Sequence, residues 1–416
     1  MRILIYSYNY HPEPIGIAPL MTELAEGLAQ REHQVRVVTA LPWYPGSMIY
    51  PEYRGNLYRT ETRNNVTIQR SFVWAKPERS FRNRGLFEIS FMGLSLLQAL
   101  KGPRPDVILL VVPGLPVSIP AAFVSWWYRA PLILNLQDIL PDAAVHVGLL
   151  TNPRLIKIFE KLEKFAYRHA TKISVIANGF TKNLLQKGIP NDKIVEISNW
   201  VNVDFIRPTN SQQTYFRTKN QLTDKFIVLY SGNIALTQGL ETVIRAAPLL
   251  TDLTDLVFTI VGELKAIAEL RAYCQAQGAD INNVQFFNFQ PREKLPEMLG
   301  AANLALVMQK SNVIAFNMPS KIQVLLASGR PILASVPSNG TAANAINTSG
   351  GGMVVSPEDP KALADAIRML YSDRERLKVM GKQGRAYAER TYAFSQALDR
   401  YEQLFKEAQI AYQQKS

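Results

Sequence analysis

A single cysteine, Cys274, among 416 residues excludes a disulfide framework and a thiolate zinc site, and it suits a reducing compartment. Histidine is nearly as scarce. His11, His33, His146 and His169 are the only four, and none falls in a His-x-x-x-His spacing. No Asp-x-Asp pair occurs, which removes the usual carboxylate clamp for a divalent ion. Gly-x-Gly-x-x-Gly and Gly-x-Ser-x-Gly strings are missing, and MGKQGR at 380–385 lacks the spacing and hydroxyl of a Walker A loop. These absences argue against a dinucleotide cofactor, a phosphate-loop nucleotide site and acyl transfer. No recognition-helix, RNP or basic-arm pattern is present, so nucleic acid is not an expected partner.

Long apolar runs are lacking too, with one exception. Between Asp106 and Arg129 lie 22 uncharged residues, which is transmembrane length. Pro113, Gly114, Pro116 and Pro120 interrupt them, so the stretch reads as a buried strand over 107–112, a loop, and a helix over 118–128. The first residues, MRILIYSYNYHPEP, hold an apolar run too short for a signal-peptide core, so export is not expected.

What the chain does have is bulk and positive charge. Its length predicts two domains, and 47% hydrophobic against 19% charged residues is the composition of a globular protein. Of the net +12, the larger part sits early: 23 Lys/Arg against 15 Asp/Glu in residues 1–200, and 23 against 19 thereafter. A basic first half points to an anionic partner.

Apolar strand-like runs alternate with amphipathic stretches throughout. RILIYSY, VRVVTA, VTIQRSF, VILLVV, LILNLQ, ISVIA and IVEIS alternate with helices that include 17–31, 86–100, 152–169 and 181–187. After the polar segment SQQTYFRTKNQLTDK the pattern restarts with the strand at 226–230, LVFTIVG, VQFFNF, LALVMQ, PILASV and GMVVS. The fold class expected is therefore α/β, with two doubly wound parallel-sheet domains over 1–207 and 208–394. The helix at 395–416 is expected to pack back, most simply on the first domain. Ligands of such sheets sit at the carboxyl ends of the strands.

Several strand ends carry chemistry. NYHPEPIGIAPL leads into the first helix, and Gly16 permits close backbone approach there. LILNLQ ends at Asp138, beside Asn135 and Gln137 and four residues before Asp142; either acid could orient sugar hydroxyls or take a proton, and Asp138 could equally cap a helix. In the second half, YSGNIALTQGLE offers Gly232 and Asn233, IVGE offers Gly262 and Glu263, and VQFFNFQPREKL offers Phe289, Gln290, Pro291 and Arg292. LVMQKSN adds Gln309 and Lys310, and NMPSKIQVLLASGRP sets Pro319, Ser320 and Lys321 at a helix start. Five strand ends offering glycine, amide or cation suit a phosphorylated ligand.

Together these motifs resemble a retaining glycosyltransferase of family 4, and most of all its WcaI-type exopolysaccharide (colanic acid) branch. NYHPEPIG, PWYP, LQDILPDA, SNWVN, YSGNIALTQGLE, VMQK and MPSK occur in the family's order nearly end to end. The resemblance implies the GT-B architecture, two Rossmann-like domains facing each other across a cleft. It also implies a nucleoside-diphosphate sugar donor (UDP or GDP) on the second domain, with no metal or other cofactor. Lys321, Ser320, Lys310 and Arg292 would meet the diphosphate with Gly232 and Asn233, Phe289 to Pro291 would hold the base, and Gly16 and Asp138 would approach the sugar and acceptor. The acceptor implied is a polyprenyl-linked saccharide at the cytoplasmic face of the plasma membrane, with the protein peripheral on that anionic surface. WAKPERSFRNRGLFEISFMGLSLLQALKG (74–102) fits that contact, with Lys76, Arg79, Arg82 and Arg84 ahead of Leu86, Phe87, Phe91 and Leu94; it fits equally a solvated loop before a core helix.

The chain departs from the family at four places. Asn233 and Gln238 stand where most members carry an Arg and a Lys, and Phe316 and Val324 stand where most carry two glutamates. A nucleotide-sugar 2-epimerase or hydrolase, and a membrane-associated scaffold without catalysis, are the alternative readings.

Overall fold

The computed structural model describes every residue except 15, 45, 79, 113, 147, 149, 210–213, 235–237, 279, 280, 314, 315, 317, 415 and 416, and the side chain of Phe81. Arg79, Pro113 and Asn317, named above, therefore lie outside the described residues. The chain folds as two units: Met1–Ser198 with Ala397–Ser416, and Asn199–Gln396.

Unit 1 is built on eight strands: β1 (Arg2–Tyr6), β2 (Gln34–Ala40), β3 (Tyr58–Arg63), β4 (Val66–Ser71), β5 (Val107–Val112), β6 (Leu132–Leu136), β7 (Lys172–Val175) and β8 (Ile194–Glu196). Their order is β3-β4-β2-β1-β5-β6-β7-β8. Every pair is parallel except β3 with β4, a hairpin turned by Asn64 and Asn65 at φ of 45° and 63°. Both turn residues adopt the left-handed conformation that two-residue hairpins require and that Asn tolerates. The sequence pattern concealed β3 because RTETR is an exposed edge with no apolar alternation. Helices α1 (Ala18–Gln30), α2 (Phe81–Ala99), α3 (Ser118–Tyr128), α4 (Asp142–His146), α5 (Pro153–His169) and α6 (Asn178–Gln186) connect the strands. VILLVV in β5 is buried at every position, as a central parallel strand should be.

Unit 2 holds six parallel strands, β9 (Phe226–Ser231), β10 (Leu256–Gly262), β11 (Val284–Asn288), β12 (Leu304–Met308), β13 (Ile332–Ser335) and β14 (Gly352–Val355), in the order β11-β10-β9-β12-β13-β14. Its helices are α7 (Tyr215–Lys219), α8 (Glu241–Ala246), α9 (Leu264–Ala276), α10 (Leu295–Ala301), α11 (Lys321–Ala327), α12 (Thr341–Ser349), α13 (Pro360–Ser372) and α14 (Arg374–Thr391). Two apolar clusters cover the two faces of this sheet, one around Ile227, Ala305 and Ile322, the other around Val228, Phe258 and Ile367. Residues 199–207 group with this unit, tied by the bridge of Val201 to Ala393 and the packing of Trp200 on Phe394.

The final helix, α15 (Phe394–Gln413), runs from Ala397 onward with unit 1. Arg31 meets Asp399 at 2.6 Å and Glu402 at 2.8 Å, and His33 meets Glu402 at 2.8 Å. Deeper in, the Asn135 amide donates to the Tyr401 hydroxyl and to Ser174 Oγ, each at 2.9 Å. Asn135 is wholly buried, so it anchors α15 instead of facing a ligand beside Asp138.

Candidate functional site

Strand order locates the site before any side chain does. In each sheet the chain leaves one central strand in opposite directions, and the crevice outside the strands' carboxyl ends at that reversal is where such folds bind ligands. In unit 1 the reversal lies between β1 and β5, in unit 2 between β9 and β12.

At the unit 2 reversal, β9 runs out into Gly232, whose φ of +137° is open to glycine alone among the residues without strain. A Cβ there would stand 3.0 Å from Lys321 Nζ and 3.3 Å from its Cε. Lys321 opens α11, yet its amine turns toward β9 and sits 3.8 Å from the centre of the Tyr230 ring. Its nitrogen is buried without a hydrogen-bond partner among the described residues, and burial pulls its pKa down to about 7. Tyr230 donates its hydroxyl proton to the Asn233 carbonyl at 2.6 Å, which fixes the turn over the lysine. Beside it, at the end of β12, Lys310 packs its stem under Gly239 and extends to Glu241 at 3.9 Å.

Other expected residues take other parts. Gly262 is small for packing, since a Cβ would lie 2.6 Å from Ile234 Cδ1. The Phe289 N–H donates to the Gly262 carbonyl at 3.1 Å while its ring is 53% exposed. Gln290 and Pro291 line a pocket of about 370 Å³ with Tyr215, Phe287 and Lys294, and Phe289 is not among its walls. Glu263 and Arg292 stand exposed on their turns. Gln309 is buried, its backbone N–H bonded to the Ser335 carbonyl at 2.9 Å. Ser320 is the N-cap residue of α11 but makes no side-chain cap bond, because its φ and ψ of −59° and −21° are already helical; Pro319 instead accepts from the Ile322 N–H. Phe316 is buried, and Val324 packs partly buried on the core cluster, so both positions make apolar contacts.

At the unit 1 reversal, Gly114 follows β5 and lies against Tyr8, which follows β1; a Cβ at Gly114 would overlap that ring at 1.7 Å. Gly16 is exposed at φ +72°, with Tyr44 Cε1 3.6 Å from where its Cβ would be. The residue that orders this corner is Glu13. Its buried carboxylate accepts from the backbone N–H groups of Trp43 and Tyr44 at 2.9 and 2.8 Å and from the Asn9 amide at 2.7 Å. One acid thus joins the NYHPEPIG loop to the PWYP loop. Both loops were visible as motifs, but nothing in a sequence says that one carboxylate ties them. Asp138 is half-buried, accepts from the Ile139 N–H at 2.9 Å, and is pushed up in pKa by its burial. Asp142 accepts from Lys187 and Asn183, both at 3.0 Å, so it already joins α4 to α6 and the residue that follows it.

The helix expected to meet a membrane also differs in detail. Phe87 and Phe91 turn inward onto Tyr8, with ring centres 5.5 and 4.5 Å away, and are 6% and 0% exposed. Burying two large rings there outweighs leaving them in water by roughly 2 kcal/mol each. A separate pocket of unit 1, about 460 Å³, opens at the opposite, amino-terminal edge of the strands around Arg2, Gln34 and Arg36.

Residues 16–200 match the glycosyl transferase 4-like domain family, and residues 211–387 match the glycosyl transferases group 1 family. A protein of Escherichia coli (strain K12), named as a colanic acid biosynthesis glycosyl transferase, WcaI, is 31% identical over 399 residues, covering 94% of this chain and 96% of that protein. Among solved structures, Anabaena HepE in complex with UDP superposes with a TM-score of 0.72 at 16% identity, covering 98% of this chain and all of that one. Sucrose-phosphate synthase from Thermosynechococcus elongatus gives 0.68 at 17% identity, with 98% of each chain covered. At these identities the structural likeness carries the fold, which is GT-B.

Proposed function

The chain belongs to the group 1 glycosyltransferases with a family 4-like first domain, and on that premise we propose that it transfers a sugar from a UDP- or GDP-sugar to a lipid-linked saccharide in exopolysaccharide assembly. The observation that carries this reading is the buried amine of Lys321 under Gly232 at the unit 2 reversal, unpartnered among the described residues. A buried amine without a partner is costly, and a diphosphate is the group that would complete it.

In the proposed reaction the acceptor hydroxyl oxygen bonds to the sugar's anomeric carbon as the bond from that carbon to the diphosphate breaks. The departing diphosphate oxygen takes the hydroxyl proton, on the same face, so configuration is retained. Negative charge accumulates on the leaving group, and Lys321, with Lys310 nearby, stabilises it without a metal ion. The glycine turn brings backbone N–H groups close, since Gly232 adds no side chain between them and the phosphates. Phe289 to Pro291 stand for the base, and Gly16 with Asp138 for the sugar and acceptor. The acceptor's polyprenyl diphosphate would hold the reaction at the cytoplasmic face of an anionic membrane.

Thermal melting against UDP-, GDP- and dTDP-sugars tests the donor. Stabilisation by one base class, lost in Lys321→Met, is the expected result. No stabilisation by any of them would overturn the assignment and favour the non-catalytic scaffold.

A further inference from the structure

Helix α3 is turned inside out. Its buried side carries Ser118, Ala121, Val124 and Ser125, whereas Ile119, Phe123, Trp126 and Trp127 are 43%, 40%, 68% and 60% exposed. Positions 119, 123, 126 and 127 follow i, i+4, i+7, i+8, one face of a helix. The three rings form a cluster, with Phe123 5.5 Å from Trp126 and 6.2 Å from Trp127, centre to centre. Single exposed apolar residues need no explanation, but a contiguous aromatic stripe does.

Helices α2, α3 and α5 stand side by side in one layer over the sheet. On α2 the outward stripe is Ile89, Gly93 and Leu97, with Ile89 69% and Leu97 53% exposed. On the other flank, α5 exposes Arg154, Lys157, Lys161, Lys164 and Arg168, against Glu160 as its one exposed acid. Indoles and apolar side chains beside a row of Lys and Arg are the chemistry of the bilayer interface. The rings lie at headgroup depth with their N–H groups wet, and the cations meet anionic lipid.

We infer that α3, with the apolar stripe of α2 and the basic side of α5, is a docking surface for an anionic bilayer. No helix among the described residues is long and apolar enough to cross a membrane, so this surface lies on the lipid and does not span it. Charge complementarity selects this occupant over a second copy of the chain. Two copies meeting on α3 would bring the cations of one α5 toward those of the other, which is repulsive. The inference rests on the proposed function for the lipid-borne acceptor and the anionic membrane that carries it, and lipid binding can be read without any sugar transfer.

The test is flotation of the full chain with vesicles of phosphatidylcholine alone and of phosphatidylcholine mixed with phosphatidylglycerol. The chain floats with the mixed vesicles and not with the neutral ones, and added salt weakens the binding. W126S/W127S lowers it at least tenfold, and K157E/K161E does so independently from the neighbouring helix. Both variants keep the wild-type thermal shift with nucleotide-sugar, so loss of lipid binding is separable from loss of the donor site. Equal binding to neutral vesicles, no flotation, or binding unchanged in both variants overturns the inference. So does a dimer in sedimentation that W126S/W127S dissociates, because the stripe then serves a second copy.

Discussion

The Lys321 amine lies 3.8 Å from the centre of the Tyr230 ring, and among the described residues it has no hydrogen-bond partner. The pair joins the first turn of α11 to the end of β9, two elements far apart in the chain. The ring face offers the lysine weak electrostatic compensation, far short of what water or a counter-anion gives. Unit 2 therefore holds a buried, titratable amine at its topological reversal, where a bound anion would favour the charged form.

Removing that cation tests its use directly. Lys321→Ala is expected to lower kcat for sugar transfer by roughly 10²-fold or more, the usual effect of deleting a group that stabilises developing charge. Steady-state rates at saturating donor and acceptor measure it, and turnover equal to wild type removes Lys321 from the mechanism.

The same lysine sets a pH dependence. Burial lowers its pKa to about 7, whereas a bound diphosphate favours the charged form and raises it. Below pH 7 the amine is protonated both free and bound, so affinity is flat. As pH rises above about 7, the free protein loses the proton first and binding must recover it, so affinity falls by at most about tenfold per pH unit. Titration calorimetry with a nucleotide-sugar, repeated in buffers of different ionisation enthalpy, should show proton uptake near pH 8 that disappears in Lys321→Met. For folding the sign is opposite. The unfolded chain holds the proton up to its ordinary pKa near 10.5, so this residue's destabilisation is full below pH 7 and is relieved as pH rises toward 10.5.

Gly232→Ala places a methyl 3.0 Å from the lysine nitrogen at a φ of +137°. The backbone strain alone costs about 1–3 kcal/mol. Donor affinity is expected to fall at least tenfold while acceptor affinity stays constant, because the change is confined to unit 2. Equilibrium binding of each substrate separately decides this.

Glu13→Ala leaves two backbone N–H groups and an amide without their acceptor, at about 1–3 kcal/mol for each group that stays buried. The melting temperature should drop and the loop at Trp43 and Tyr44 should become cleavable by protease. Acceptor KM should rise more than donor KM. An unchanged protease pattern would show that the loops hold without the acid.

Tyr401→Phe removes the hydroxyl that accepts from Asn135 and leaves a buried amide donor short of one partner. Thermal unfolding should report a loss of about 1 kcal/mol or more, with donor binding untouched. An equal melting temperature would mean that the ion pairs of Arg31 and His33 with Asp399 and Glu402 anchor α15 unaided.

Much of this protein could be read from its chain. Alternating apolar runs dictate strands and helices because each strand must bury both faces and each helix one, and VILLVV in β5 obeys that rule at every position. The strand-end glycines and the PSK lysine could be picked out because few residue types suit close backbone approach or an anion. The folded arrangement alone decided which of those residues meet. Lys321 and Gly232 become neighbours through parallel pairing, Asn135 goes to α15 instead of the surface, and Phe87 with Phe91 faces Tyr8 while Trp126 and Trp127 face outward. An apolar pattern states that a side chain needs cover, but only packing in three dimensions determines which surface supplies it.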